Sequence, residues 1–275
     1  MASADDYEEH VESTAVPGQQ STDHAPSSRP SAFTELMSPR KAKSSRPSST
    51  DTATKQATFY GRDGLAAYTT DPASFPPSRV VYFNDRFVVI NDLFPKASVH
   101  LLILPRDPKK NVVRPQEAFD DPVFLQECQA EEKKVRTIVA SELRRRFGNE
   151  SATERPRLEA LRVDDASEEL PPGRDWEAEI ISGTHANPSM NHLHIHVLSR
   201  DMVSECMKKR NHYLSFTTPF LIGMDQYPLA RGDVRRHYGH FPEDMKCWRC
   251  GRNFHNKMAR LKEHLDEELD AWKRE

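Results

Sequence analysis

Histidines at 192, 194 and 196 alternate with Leu193, Ile195 and Val197 inside the stretch HANPSMNHLHIHVLSR, which runs from His185 to Arg200. Side chains alternate across a β-strand. This spacing therefore predicts one apolar face turned to a core and one face carrying three imidazoles, at intervals of about 6.5–7 Å. The apolar face explains a strand, but it does not explain three neighbouring histidines. A strand face that happens to carry histidine is one reading, and a metal site is a second, since imidazole is a frequent ligand. No carboxylate accompanies the cluster in sequence, so nucleophilic chemistry at phosphorus fits better. A neutral imidazole attacks phosphorus in line, and water then opens the phosphoramidate. Neighbouring histidines fix the nucleophile's tautomer and stabilise charge on the phosphoryl oxygens, so no metal is needed.

The flanking sequence supplies the rest of a sheet. VVYF (80–83) and FVVI (87–90) are β-rich runs separated by Asn84, Asp85 and Arg86, a hairpin signal. VHLLILP reads as a strand buried on both faces. A long helix follows, with Asp121 as N-cap, Pro122 at the first helical position and Gly148 at its stop. Phe124, Val135, Ile138, Val139 and Leu143 give it an apolar stripe. Residues 149–174 are polar and read as a loop insertion with little structure, after which WEAEIIS forms another strand. A short helix containing Phe59, Leu65 and Tyr68 precedes the hairpin and stops before Pro72. The order predicts an α+β domain, an antiparallel sheet with a helix on one face.

Residues 1–55 are rich in Ser, Thr, Pro and Ala, and are expected to form a disordered tail. Within it Arg40, Lys41, Lys43 and Arg46 read either as a solvated charge cluster or as a nuclear-import patch. The chain has 275 residues, no run of about 18 apolar residues and no apolar stretch following its start. A membrane span and a secretory signal are therefore not expected. Four cysteines form no disulfide framework and suit a reducing compartment.

Two of those cysteines open CWRCGRNFHNKMARLKEHLDEEL. Cys247 and Cys250 form CxxC, thirteen residues separate Cys250 from His264, and Glu268 lies four further on. On a helix His264 and Glu268 share a face, while Met258, Leu261, Leu265, Leu269 and Trp272 line the opposite one. This is a zinc-finger pattern with a carboxylate in the last position, a ligand that zinc accepts. Glu267 next door leaves the fourth ligand open. The net charge of −3 hides a basic stretch: residues 203–260 hold eleven Lys or Arg against five Asp or Glu. MKKRNHYLSF and RGDVRRHYGHF interleave cations with aromatics, as backbone-binding surfaces do.

HLHIHVL resembles the signature of the histidine-triad (HIT) superfamily, and INDLFPKASVHLLILPR is similar to that family's nucleotide-binding half. With KKRNHYLSF and the finger added, the resemblance narrows to the aprataxin family over residues 57–272, in its fungal form. The tail is too short and polar for the forkhead-associated domain of vertebrate members.

The resemblance implies a HIT-like catalytic domain over 56–225 and a zinc-finger DNA-binding domain over 226–275. It implies an enzyme that hydrolyses 5′-adenylated DNA ends left by abortive ligation, releasing AMP through a covalent AMP–histidine intermediate, in the nucleus. It makes His194 the nucleophile, with His192 and His196 orienting it and His185 assisting the leaving group. Asp92, Ser189 and Lys96 would bind the nucleotide. Lys208, Lys209, Arg210 and His212 would meet DNA, with Phe59 or Tyr60 as an aromatic wedge. Cys247, Cys250, His264 and Glu268 would hold a structural zinc. A HIT enzyme acting on AMP-amines or dinucleoside polyphosphates, and a non-enzymatic zinc-finger DNA binder, are the competing readings.

Overall fold

In the computed structural model, residues 61–162, 170–237, 241–242 and 244–275 are described. The expected disordered tail, the Arg40–Arg46 patch, Phe59 and Tyr60 lie outside the described residues. A helix α1 (Ala66–Thr70) leads into β1 (Val80–Phe83), β2 (Phe87–Asn91) and β3 (His100–Pro105). The β1–β2 turn is closed by Asn84, whose Oδ1 accepts from Arg86 and Phe87 N–H at 2.8 Å each. Short α2 (Pro115–Ala118) precedes the long α3 (Pro122–Phe147). Asp121 caps α3 by accepting from Val123 and Phe124 N–H at 3.0 and 3.3 Å.

After α3 come α4 (Arg155–Ala160), β4 (Ile180–His185), β5 (Ile195–Ser199), α5 (Arg210–Thr217) and β6 (Leu221–Ile222). The finger consists of β7 (Met245–Lys246), β8 (Asn253–His255) and α6 (Met258–Arg274). The first six strands form an antiparallel sheet in the order β1-β2-β3-β5-β4-β6, so the expected α+β architecture is present. Among the described residues no helix is long and apolar enough to cross a membrane.

The two faces of the sheet are used differently. Val89, Leu101, Ile103, Ile195 and Val197 pack against Phe124, Leu125, Val135, Val139 and Leu143 of α3 in one core. On the opposite face Val88, Ile90, Leu102 and Leu104 are covered by Leu65 and Tyr68. That cover leaves the β3–β5–β4 part of this face for His100, His196 and His185.

Three expectations need correction. The histidine stretch is a strand only from Ile195, so His192 and His194 precede the ladder. Gly148 ends α3 with φ −57°, an ordinary helical value rather than a left-handed stop. The 149–174 insertion is not a plain loop. It carries α4, and its flanks hold a buried network. Glu154, fully buried, accepts from Arg174 N–H at 2.9 Å and Trp176 Nε1–H at 3.1 Å and pairs with Arg144 at 2.9 Å. The Arg174 guanidinium lies over Trp176 and Trp272 and donates to the Trp272 carbonyl at 2.5 Å. A polar composition conceals this because each charge is matched by a distant partner.

Residues 57–275 form one compact unit. Trp272 at the end of α6 belongs to the main core. Leu261 and Leu265 of the same helix share a second cluster with Leu198 of β5 and with Tyr213, Leu214 and Phe216 of α5. The finger is therefore built into the sheet domain rather than tethered to it.

Candidate active site

His196 lies in the ladder, opposite Leu102 of β3 and Gly183 of β4. Glycine is required at 183: its φ is +153°, and a Cβ there would meet the Ile222 carbonyl oxygen at 2.2 Å. His196 Nδ1 is 3.0 Å from Nε2 of His100, a buried histidine at the start of β3. The Lys96 backbone N–H donates to His100 Nδ1 at 3.1 Å. A backbone N–H is only a donor, so His100 Nδ1 holds a lone pair and its hydrogen sits on Nε2. His100 then donates to His196 Nδ1, which leaves the His196 hydrogen on Nε2. That Nε2 is buried and has no partner among the described residues, so it is a donor open to an acceptor from a ligand.

Asp92 stands 3.3 Å from His100 Nδ1. Asp92, His100 and His196 have donor atoms close enough for a metal ion to be considered. Yet the two nitrogens of His100 face different partners, Asp92 on one side and His196 on the other. This arrangement suits a hydrogen-bond relay from the Lys96 N–H through His100 to His196, with the Asp92 carboxylate beside it, rather than a shared ligand set.

His185, at the end of β4, has its ring 4.5 Å from that of His196, and its Nε2 is likewise buried without a partner. Phe216 of α5 packs against His185, His196 and His100 at centroid distances of 4.7, 5.0 and 5.5 Å. Burial in this apolar setting pushes His185 down to about 3 and His100 down to about 4, and it holds His196 well below its usual value. These imidazoles are neutral at pH 7.

His194 is placed by different means. Its Nδ1 is 2.7 Å from the His192 carbonyl, which only accepts, so Nδ1 carries the hydrogen. Its Nε2 therefore holds the lone pair, the form a nucleophile needs. Burial lowers its pKa and keeps it neutral. Its ring lies 4.8 Å from His196. His192 is buried, with Nδ1 unpaired, and meets His194 through its main chain.

The remaining expected residues divide. Asp92 and Lys96 adjoin His100, with the Lys96 ammonium donating to the Phe94 carbonyl at 2.7 Å. Ser189 is exposed in the loop before His192. Lys208 and Lys209 are exposed ahead of α5. His212 Nδ1 accepts from their backbone N–H groups at 3.3 and 3.4 Å, which ties the ring to the helix start. Arg210 donates to the Pro242 carbonyl. In the second basic stretch, Arg235 is paired with Asp233 at 2.7 Å and Arg236 with Asp120 at 2.6 Å. Those two guanidiniums serve the fold, which the sequence reading of a uniform backbone-binding surface did not anticipate. His100 and Phe216 were missed altogether. The only signal for His100 was a polar residue opening an otherwise apolar strand.

In the finger, ligand atoms of Cys247, Cys250, His264 and Glu268 all lie within 4.8 Å of one another. Cys250 Sγ is 3.1 Å and Glu268 Oε1 3.3 Å from His264 Nε2. Tetrahedral zinc bonds of about 2.0–2.3 Å bring ligand atoms to separations of this order, so the donor set fits. Glu267 stands on the other side, 3.9 Å from His264 Nδ1 and largely exposed. The second oxygen of Glu268 pairs with Arg249, which orients the carboxylate. Tyr213 ties this knuckle to α5, the helix that carries Phe216: its hydroxyl donates to the Lys246 carbonyl at 2.8 Å and accepts from Trp248 N–H at 2.9 Å.

Comparison with known proteins gives two family matches. Residues 75–203 match the HIT domain, and residues 217–271 match a C2HE / C2H2 / C2HC zinc-binding finger. The chain is 35% identical over 215 residues to an aprataxin-like protein of Schizosaccharomyces pombe, covering 77% of this chain and 82% of that one. The crystal structure of the aprataxin ortholog Hnt3 from Schizosaccharomyces pombe superposes with TM-score 0.61 at 33% identity, covering 77% and 94% of the two chains. A structure of Hnt3 in complex with DNA and guanosine superposes with TM-score 0.58 at 31% identity, covering 77% and 96%.

Proposed function

This chain belongs to the aprataxin family, and from that premise we propose that it is a DNA-repair hydrolase that removes AMP from 5′-adenylated DNA ends. One observation carries the chemistry. His194 presents an unprotonated Nε2, while the Nε2 atoms of His185 and His196 are buried close by without partners among the described residues.

His194 Nε2 attacks the phosphorus of the AMP group. The bond from that phosphorus to the bridging oxygen breaks, and the DNA 5′-phosphate departs with the electron pair. His196 Nε2–H donates to a phosphoryl oxygen, and its neutral donor form is held by His100. His185 faces the departing phosphate. Water then adds at phosphorus, the P–N bond breaks, and AMP leaves with His194 restored. Asp92, Lys96 and Ser189 surround the nucleotide in this reading.

Cys247, Cys250, His264 and Glu268 would hold a zinc ion joining the turn between β7 and β8 to α6, and four protein ligands would leave no position for a reacting water. DNA as the partner is supported by the DNA-bound Hnt3 neighbour and by the exposed Lys208 and Lys209 beside the helix that carries Phe216. Double-stranded DNA with adenylated nicks or ends is the substrate, and the nucleus is the compartment where it arises.

The test is incubation with a nicked, 5′-adenylated duplex. Release of AMP and a ligatable 5′-phosphate is expected. Cleavage of a small AMP-amine without action on the duplex would overturn the DNA reading.

A further inference from the structure

The nucleophile stands outside the β-ladder, so something other than sheet hydrogen bonds must fix it. The two residues flanking His192 are each pinned to a neighbouring loop. Asn191 N–H donates to the Arg62 carbonyl at 2.9 Å, and Leu193 N–H donates to the Asn111 carbonyl at 2.7 Å. The Asn191 side chain adds a second hold on the first loop, its Nδ2–H donating to Asp63 Oδ1 at 2.8 Å. Between these pins lies the His192 carbonyl, the acceptor that keeps the hydrogen of His194 on Nδ1. Rotation of this peptide would release Nδ1, and His194 would then sample the tautomer whose Nε2 carries hydrogen and cannot attack.

We propose that Asn191 and Asp63 form a clasp that positions the His192 carbonyl and so selects the reactive tautomer of His194. Both are positioning residues. Both are exposed, where a merely structural contact would be of little consequence. The inference rests on His194 being the nucleophile.

Four variants test it: Asn191→Ala, Asp63→Ala, the double alanine variant, and the exchanged pair Asp63→Asn with Asn191→Asp. The exchange reverses the bond's polarity and keeps its geometry. AMP release is measured on the nicked adenylated duplex and on a small AMP-amine, and the His194 tautomer is read by imidazole ¹⁵N NMR. Each single variant is expected to lower kcat about tenfold on both substrates with KM little changed, as a small misplacement of a reacting group does. Their double alanine variant should lose no more than either alone. The exchanged pair should recover to within about threefold of the parent. The NMR spectrum should show the Nδ1–H form in the parent and a mixture of tautomers in the single variants.

Unchanged kcat with an unchanged tautomer in Asn191→Ala would overturn the clasp. Loss confined to Asp63 variants would do the same, because the Asp63 charge acting on His192 would then be the cause. A parent that cleaves the AMP-amine but not the duplex would sink the DNA reading while leaving the clasp measurable. A parent whose His194 tautomer is mixed would sink the clasp whatever its activity.

Discussion

Two halves of one site are held by different means. His100, His185 and His196 stand on strands, opposite fixed partners, with Phe216 against all three rings. His192 and His194 stand on an irregular segment before β5 and depend on contacts with loops. The sheet-borne half is a rigid, neutral array of donors. In the proposed mechanism the loop-borne half carries the atom that forms and breaks a bond. A strand position fixes a side chain through the sheet, while a loop position needs contacts of its own to hold a reacting group in line.

The hardest way to strain this comparison is to remove one group from each half. His194→Ala is expected to lower AMP release at least 10⁴-fold, since no other group reaches the same lone-pair position. His196→Ala should cost about 10²-fold, because removing one oriented donor leaves the nucleophile in place. Single-turnover assays on adenylated DNA measure both. Equal losses would mean that the two halves do not have the separate roles assigned to them.

The finger sharpens the contrast, because it behaves as part of the rigid half. Trp272 is 1% exposed in the main core and meets Trp176 and Phe147 edge-on at 6.2 and 5.7 Å. Trp272→Ala is expected to destabilise the whole of residues 57–275 by about 3–5 kcal/mol. Chelation of the zinc proposed for the finger should lower the same single transition. Two separate unfolding transitions, with the catalytic one unmoved, would show that the finger is an independent appendage.

Acid should reveal the buried neutral histidines. The His100 imidazole has its pKa pushed down to about 4 by burial, against an ordinary value of 6.5. Between those values the unfolded chain binds the proton and the folded chain does not. Stability that is full above about pH 6.5 therefore falls as pH drops towards 4 and levels off below it. For this group the loss is on the order of 3 kcal/mol. His100→Gln keeps a donor towards His196 and an acceptor towards Lys96 without titrating. Urea midpoints at pH 7 and pH 4.5 should converge in that variant relative to the parent, and an unchanged difference would mean that burial does not shift His100.

Much of this was legible in sequence, and the reasons are local. Alternation around 192–197 located the histidines, and turn and cap residues such as Asn84 and Asp121 located the β1–β2 hairpin and α3. CxxC with its helix-borne His264 and Glu268 pointed to the cluster that the structure brings together. What escaped depends on pairs far apart in the chain. His100 reaches His196, Glu154 reaches Arg174 and Trp176, and Arg236 reaches Asp120. No periodicity or composition records such pairs, so the insertion read as loose and the arginines read as free.

That last misreading yields the smallest and most discriminating prediction. The basic stretch contains two kinds of cation. Lys208 and Lys209 are exposed, whereas Arg236 contacts Asp120 and the carbonyls of Gln116, Leu229 and Ala230, all within the chain. A cation that neutralises a DNA phosphate releases a counterion, and its loss flattens the salt dependence of binding by about 0.9 in the log–log slope. Lys208→Ala with Lys209→Ala should therefore reduce the slope by between about one and two, while thermal stability stays within about 0.5 kcal/mol. Arg236→Ala should show the reverse, with lower stability and an unchanged slope, because its guanidinium already has its partners. Fluorescence anisotropy of a labelled nicked duplex across a salt series, paired with urea melts, measures both quantities. Should Arg236→Ala flatten the slope as much as the lysine pair, the Asp120 contact would have to open on DNA, and the division between locked and available cations would fail.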